Sequence, residues 1–207
     1  MVKVKICGIT NLEDALLACD LGADAIGFIF HEKTPRHIRP SEAQLIARSL
    51  PPFVTKVGVF VNMPIQELGK ICETVPLDLV QLHGDEPTEY CRQVDRPWLK
   101  VFRVSDEFDV SQLAPYKAIG FLLDTFNQER YGGTGQTFNW KIAKEAKRFG
   151  QIILSGGLNP QNVSEAMNFV KPYAVDVCSG VEAVPGKKDP EKMRRFFGEI
   201  SCTAKSR

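Results

Sequence analysis

Eight short apolar or β-branched runs recur along the chain, with a helical pattern between most neighbours, and this beat restricts the fold more than any single residue. The runs are VKVKIC (2–7), AIGFIF (25–30), KVGVFV (56–61), LVQLH (79–83), WLKVFRV (98–104), AIGFLLD (118–124), IILS (152–155) and AVDVC (174–178). A parallel strand pair needs a helix-sized crossover, so strands alternating with helices imply βαβ units. The 207 residues divide into about 26 per unit, compact but sufficient. The expected fold is α/β, a (β/α)8 TIM barrel in one domain over 1–207. A doubly wound open sheet shares the alternation and is the alternative.

Between the runs, apolar residues recur at three- and four-residue spacing. Leu12, Ala15, Leu16 and Cys19 form one stripe, Leu45, Ile46 and Leu50 another, and Met193, Phe196 and Phe197 the last. Asn11, Ser41, Asn159 and Asp189 are expected N-caps, with Pro160 and Pro190 in first turns and Gly22 as a helix stop. Residues 105–117 carry only a marginal helix signal, a single turn around 109–114. The tail after Ile200, SCTAKSR, is expected to fray into disorder.

With 26 basic and 25 acidic side chains the formal charge is +1, which gives no reason to expect nucleic acid or a membrane as partner. The start, MVKVKICG, lacks an apolar signal core, and no apolar run reaches membrane length, so the expected compartment is the cytoplasm. Cysteines 7, 19, 72, 91, 178 and 202 form no CxxC pair and read as free thiols. Three histidines, at 31, 37 and 83, prompt no metal site.

In such a barrel reactive groups gather where strands end. Cys7, His83, Asp124, Ser155 and Cys178 all fall there. Period-two alternation puts Val2, Val4 and Ile6 under the helices and Lys3, Lys5 and Cys7 inside the barrel. An interior lysine needs a carboxylate. Asp176, on the last strand and next to the first once the barrel closes, is the expected partner of Lys5. That pair reads either as purely structural or as lowering the pKa of the Cys7 thiol and raising its thiolate fraction. Cys7 itself is either a small core filler or a reactive thiol. Asp124 ends an apolar strand and is either a loop cap or, facing Cys7, one half of an acid–base pair.

Two glycine segments, LSGGLNPQNV after the seventh run and VCSGVEAVPG after the eighth, suit a phosphate site built from backbone amides. Neither fits a P-loop or a dinucleotide turn. RYGGTGQTFNW (130–140) is a candidate lid or an ordinary connection. HEKTPRHIRP (31–40) is a basic loop in which Arg36 could hold a carboxylate through two hydrogen bonds.

Taken in order, VKICGIT, DALLACDLGADAIGFIF, TPRHI, KVGVFVN, VQLHGDE, LLDTF, GGTGQTFNW, LSGGLNPQNV and DVCSGVE strongly resemble the phosphoribosylanthranilate isomerase family of tryptophan biosynthesis over essentially the full length. The resemblance implies a monomeric or homodimeric barrel, without metal or organic cofactor, that converts a phosphosugar by an Amadori rearrangement. It implies that Cys7 is the general base, Asp124 the general acid and Arg36 the holder of the anthranilate carboxylate. It further implies a phosphate cradle around Gly156, Gly157, Ser179 and Gly180, with His83 among the substrate-binding residues. Departures are Thr34 where serine is common, Asn139 where aspartate is usual, and Cys178 where serine is frequent. A sister isomerase of histidine biosynthesis would place a carboxylate at position 7, and a pentose-phosphate epimerase would want several strand-end histidines. A non-catalytic phosphosugar-binding barrel would keep the glycine segments without Cys7 or Asp124.

Overall fold

The computed structural model describes residues 2–125 and 139–205. Eight parallel strands close into a barrel in chain order: β1 Lys3–Cys7, β2 Ala25–Ile29, β3 Thr55–Phe60, β4 Leu79–Leu82, β5 Trp98–Val104, β6 Gly120–Thr125, β7 Ile152–Leu154 and β8 Ala174–Val177. Every sequence-predicted strand is present within two residues of its expected bounds. The connecting helices are α1 Leu12–Asp20, α2 Pro40–Ser49, α3 Ile65–Thr74, α4 Thr88–Cys91, α5 Trp140–Ala146, α6 Val163–Val170 and α7 Pro190–Lys205. The weak fifth unit is a 3₁₀ turn, Val110–Leu113, capped by Asp109. Most of the candidate lid, 130–138, lies outside the described residues; Asn139 and Trp140 begin α5, with Asn139 as its N-cap.

Helix faces differ from the sequence reading in an instructive way. In α1 the buried residues are Asp14, Ala15 and Ala18, while Leu12 and Leu16 are 41% and 37% exposed. In α2 they are Ala43, Ile46 and Ala47, with Leu45 exposed. A helix lying close on a twisted strand layer meets it through alanines, and the larger side chains move to the flanks. The last stripe is as expected, Met193, Phe196 and Phe197 all buried. Asn11 and Asp189 cap their helices, whereas Ser41 sits inside a helix that starts at Pro40 behind Arg39. Asn159 instead closes a turn with Gln161, and Asn162 precedes α6. The tail expected to fray continues α7 to Lys205, and Thr203 is buried against Ser164.

Alternation along the strands separates two cores. Val4, Ile6, Phe28, Leu82, Phe121 and Val175 pack outward under the helices. Leu79, Leu99, Val101, Leu122, Ile153 and Ala174 plug the barrel itself. Continuing inward positions two residues at a time, the lining becomes polar: Lys5 then Cys7, Gln81 then His83, Asp176 then Cys178, and Asp124 after Leu122. Lys3 is the exception to the expected interior position. It lies at the barrel floor with its side chain 53% exposed and pairs with Asp24 at 2.6 Å. After β8 comes an element not read from sequence, a two-stranded hairpin of β9 Glu182–Val184 and β10 Lys187–Lys188, turning at Gly186.

Candidate active site

The cavity at the C-terminal ends of the strands is lined by Cys7, Arg36, His83, Asp124, Gly156, Gly157, Cys178 and Ser179, together with His31, Thr34 and Ser155. Cys7 and Asp124 stand three strands apart on the ring and share this one cavity. Gly180 is the predicted site residue not placed on the lining. Its Cα packs against the Leu158 carbonyl, where a Cβ would come within 1.9 Å, so close packing of two loops explains that glycine.

Lys5 and Asp176 face one another in register on β1 and β8. The Lys5 ammonium donates to Asp176 Oδ1 at 2.8 Å, both side chains 5% exposed, and Ser155 Oγ donates to Oδ2 at 3.3 Å. The expected pair is therefore present. Burial alone would lower the Lys5 pKa, but Asp176 and Cys7 outweigh it and hold the ammonium above its ordinary range.

Cys7 is 5% exposed and occupies space left by a glycine: a Cβ at Gly27, its register partner on β2, would lie 2.8 Å from Cys7 Sγ and 3.1 Å from Lys5 Cε. The Cys178 thiol hydrogen-bonds Cys7 and is the strongest influence on it. Burial opposes ionisation and the Lys5 ammonium favours it, and the pKa of Cys7 comes down to about 6. The same hydrogen bond, then burial, drives Cys178 well above the ordinary thiol range. The two shifts run in opposite directions, so the pair favours negative charge on sulfur 7 over sulfur 178.

Asp124 is held at the end of β6. Its Oδ1 accepts from the Thr125 N–H at 2.9 Å, and its Oδ2 lies 3.3 Å from His83 Nε2. Gln81 Nε2 is 3.1 Å from His83 Nδ1, steadying the ring between amide and carboxyl group. Gly156 has φ +80°, and a Cβ there would lie 2.3 Å from Thr125 Oγ1. The β7–α6 loop can therefore fold over the end of β6 only with glycine at this position.

Arg36 is anchored from outside the cavity. Its Nε donates to Glu182 Oε1 at 2.9 Å and its Nη2 to Oε2 at 2.7 Å. The two-hydrogen-bond grip expected for a ligand carboxylate is thus already made, side-on, to Glu182. The remaining N–H groups of the terminal nitrogens form an end-on face for a second anion. Glu182, Lys188 and Gln81 were not singled out in the sequence. Gln81 could have been, since it shares the inward face of β4 with His83. Glu182 and Lys188 depend on a hairpin whose signal is the single PG pair at 185–186.

A thiol whose pKa is lowered and a carboxyl group at the C-terminal mouth of a closed eight-stranded barrel, beside two glycine-built loops, define a (β/α)8-barrel enzyme of the acid–base kind. Comparison with known proteins narrows that class. The family model for N-(5′-phosphoribosyl)anthranilate (PRA) isomerase matches residues 4–199. The chain is 54% identical over 197 residues to the N-(5′-phosphoribosyl)anthranilate isomerase of Geobacter metallireducens, covering 95% of this chain and 98% of the relative. It matches monomers generated from the dimeric phosphoribosylanthranilate isomerase of Thermotoga maritima with TM-score 0.88 and 43% identity, over 98% of this chain and 100% of that one. It also matches a phosphoribosylanthranilate isomerase in complex with reduced 1-(o-carboxyphenylamino)-1-deoxyribulose 5-phosphate, with TM-score 0.88, 44% identity and the same coverage. The chain belongs to the N-(5′-phosphoribosyl)anthranilate isomerase family.

Proposed function

We propose that the protein catalyses the Amadori rearrangement of N-(5-phosphoribosyl)anthranilate to the 1-(o-carboxyphenylamino)-1-deoxyribulose 5-phosphate. The observation that carries this reading is the Cys7 sulfur, beside Lys5 and Cys178 that lower its pKa, sharing one cavity with Asp124. Protonated Asp124 gives its proton to the ribose ring oxygen as the C1′–O bond breaks, leaving an open-chain Schiff base. The Cys7 thiolate then takes the proton from C2′, and the electron pair of that C–H bond forms the enolamine, which tautomerises to the ketone. No redox partner is required. The phosphate sits against the amides of the loops after β7 and β8, where Gly156 and Gly157 both have positive φ. Binding energy from that remote group holds the sugar in line with both proton-transfer groups. The end-on face of Arg36 takes the anthranilate carboxylate, and the cytoplasm is the compartment this reading assigns. The direct test adds the protein to freshly prepared phosphoribosylanthranilate and follows loss of its fluorescence. Decay no faster than the spontaneous breakdown would end the proposal.

A thiolate base must be unprotonated to work, so kcat/KM falls as pH drops through about 6, the value to which Cys7 is lowered. Cys178→Ala removes the strongest cause of that lowering, and the acid limb of the profile moves to higher pH. Cys178→Ser keeps a donor, and the limb stays nearer its original place. An unmoved limb in Cys178→Ala would separate Cys178 from the tuning of Cys7.

A homodimer is the assembly we infer. Phe53, in the turn after α2, is 98% exposed and borders a cavity of about 400 Å³ at the barrel floor, lined also by Leu79, Ile119 and Tyr173. The Thermotoga maritima relative is dimeric, and a second copy would cover this apolar floor. Sedimentation of the native chain should give a dimer and of Phe53→Asp a monomer; an unchanged mass would place the interface elsewhere.

A further inference from the structure

Arg36 comes from the loop after β2, and the carboxylate that grips it comes from β9, 146 residues later. Glu182 takes both the Nε and Nη2 sides of the guanidinium, which locks the plane of the group and not merely its charge. A carboxylate so placed would by itself cancel the positive charge that a substrate anion needs. Lys188 restores it: its ammonium, wholly buried, lies 3.2 Å from Glu182 Oε1 and also donates to the Cys178 carbonyl at 3.1 Å. The Gly186 N–H adds a further bond to Glu182 Oε1 at 3.2 Å. Two cations and one anion leave this group with a net charge of one positive. Of the three side chains, Arg36 alone lines the cavity among the described residues.

We propose that Glu182 is a positioning residue for substrate recognition, holding the Arg36 guanidinium edge-on from behind so that its end-on face meets the substrate carboxylate, with Lys188 as the buried counter-charge that keeps the cluster cationic. This inference rests on the carboxylate-binding reading of Arg36 given above. Burial would raise the Glu182 carboxyl group, but the bonds from Arg36 and the charge of Lys188 hold it below the usual range. The grip is therefore ionic across the working pH range. The hairpin that follows β8 acquires a task from this arrangement: it carries both Glu182 and Lys188, and Gly186 at its turn has φ +86°.

The test measures binding by calorimetry of two ligands: reduced 1-(o-carboxyphenylamino)-1-deoxyribulose 5-phosphate, and its phenylamino counterpart without the carboxyl group. Glu182→Gln keeps the shape but presents an amide N–H where a guanidinium N–H must be accepted. It should weaken the carboxylated ligand about tenfold or more and the other by less than about twofold. Glu182→Gln combined with Lys188→Met, which removes the uncompensated buried ammonium, should show the same selectivity and guards against a folding defect. Arg36→Ala is the reference. Selective loss in Arg36→Ala but equal or no loss on both ligands in the Glu182 variants would overturn the role of Glu182 alone. Indiscriminate loss in Arg36→Ala itself would overturn the reading of Arg36, and this inference with it.

Discussion

Replacing Cys7 by alanine should lower kcat by about 10²–10⁴-fold, the usual contribution of one proton-transfer group, while leaving KM within a few-fold. The separation follows from what the side chain touches. Its neighbours are Lys5, Cys178 and the space left by Gly27, and the alanine substitution leaves the backbone amides of both glycine loops and the end-on face of Arg36 intact. Cys7→Ser is the sharper variant. A hydroxyl fits the same space and accepts the same hydrogen bond from Cys178, but its acidity is too weak for it to be ionised near pH 7. Serine should therefore fall nearly as far as alanine. Were Cys7 a core filler, the reverse pattern would hold: alanine would cost roughly 1 kcal/mol of stability, by analogy with other small core truncations, and kcat would stay near normal. Kinetics and a thermal melt of both variants decide between the two. Near-native turnover in Cys7→Ala would remove it as the base.

Why Cys7 could be picked out of the sequence, while Glu182 could not, is a matter of range. Cys7 follows Lys5 on a strand with clear alternation, so its inward direction follows from period two alone. The Lys5–Asp176 pair needed one more step, closure of the barrel, which makes β1 and β8 neighbours. The eight strands were legible for the same reason, since β-branched runs bounded by turns carry a local signal. Arg36 could be recognised as a stiffened guanidinium after Pro35, but its partner was invisible: only the hairpin after β8 brings Glu182 to it. Cys178 points inward by alternation, yet its hydrogen bond to Cys7 depends on two strand ends finishing level. The helix faces failed locally rather than globally. Ala15 and Ile46 are buried as expected, but close contact with the barrel selects Ala18, Ala43 and Ala47 over Leu12, Leu16 and Leu45, and hydrophobicity alone does not rank alanine above leucine.

Asp124→Asn should lower kcat by a similar factor, about 10²–10⁴, and for a separable reason. Asparagine keeps the shape of the side chain. Its carbonyl can still accept from the Thr125 N–H that Asp124 Oδ1 accepts at 2.9 Å, and its amide can occupy the place beside His83. What it lacks is a proton acidic enough to pass to a departing ring oxygen. Binding should accordingly persist, with KM within a few-fold, while ring opening slows. Because Asp124 acts in ring opening and Cys7 in removal of the C2′ proton, the two residues lower different barriers along one sequence of steps. The overall rate follows the higher barrier, so the double variant Cys7→Ala/Asp124→Asn should be about as slow as the slower single variant, rather than slower by the product of the two factors. A double variant whose loss equals that product would mean that both groups act in a single transition state, and the stepwise order of ring opening before proton removal would have to be abandoned.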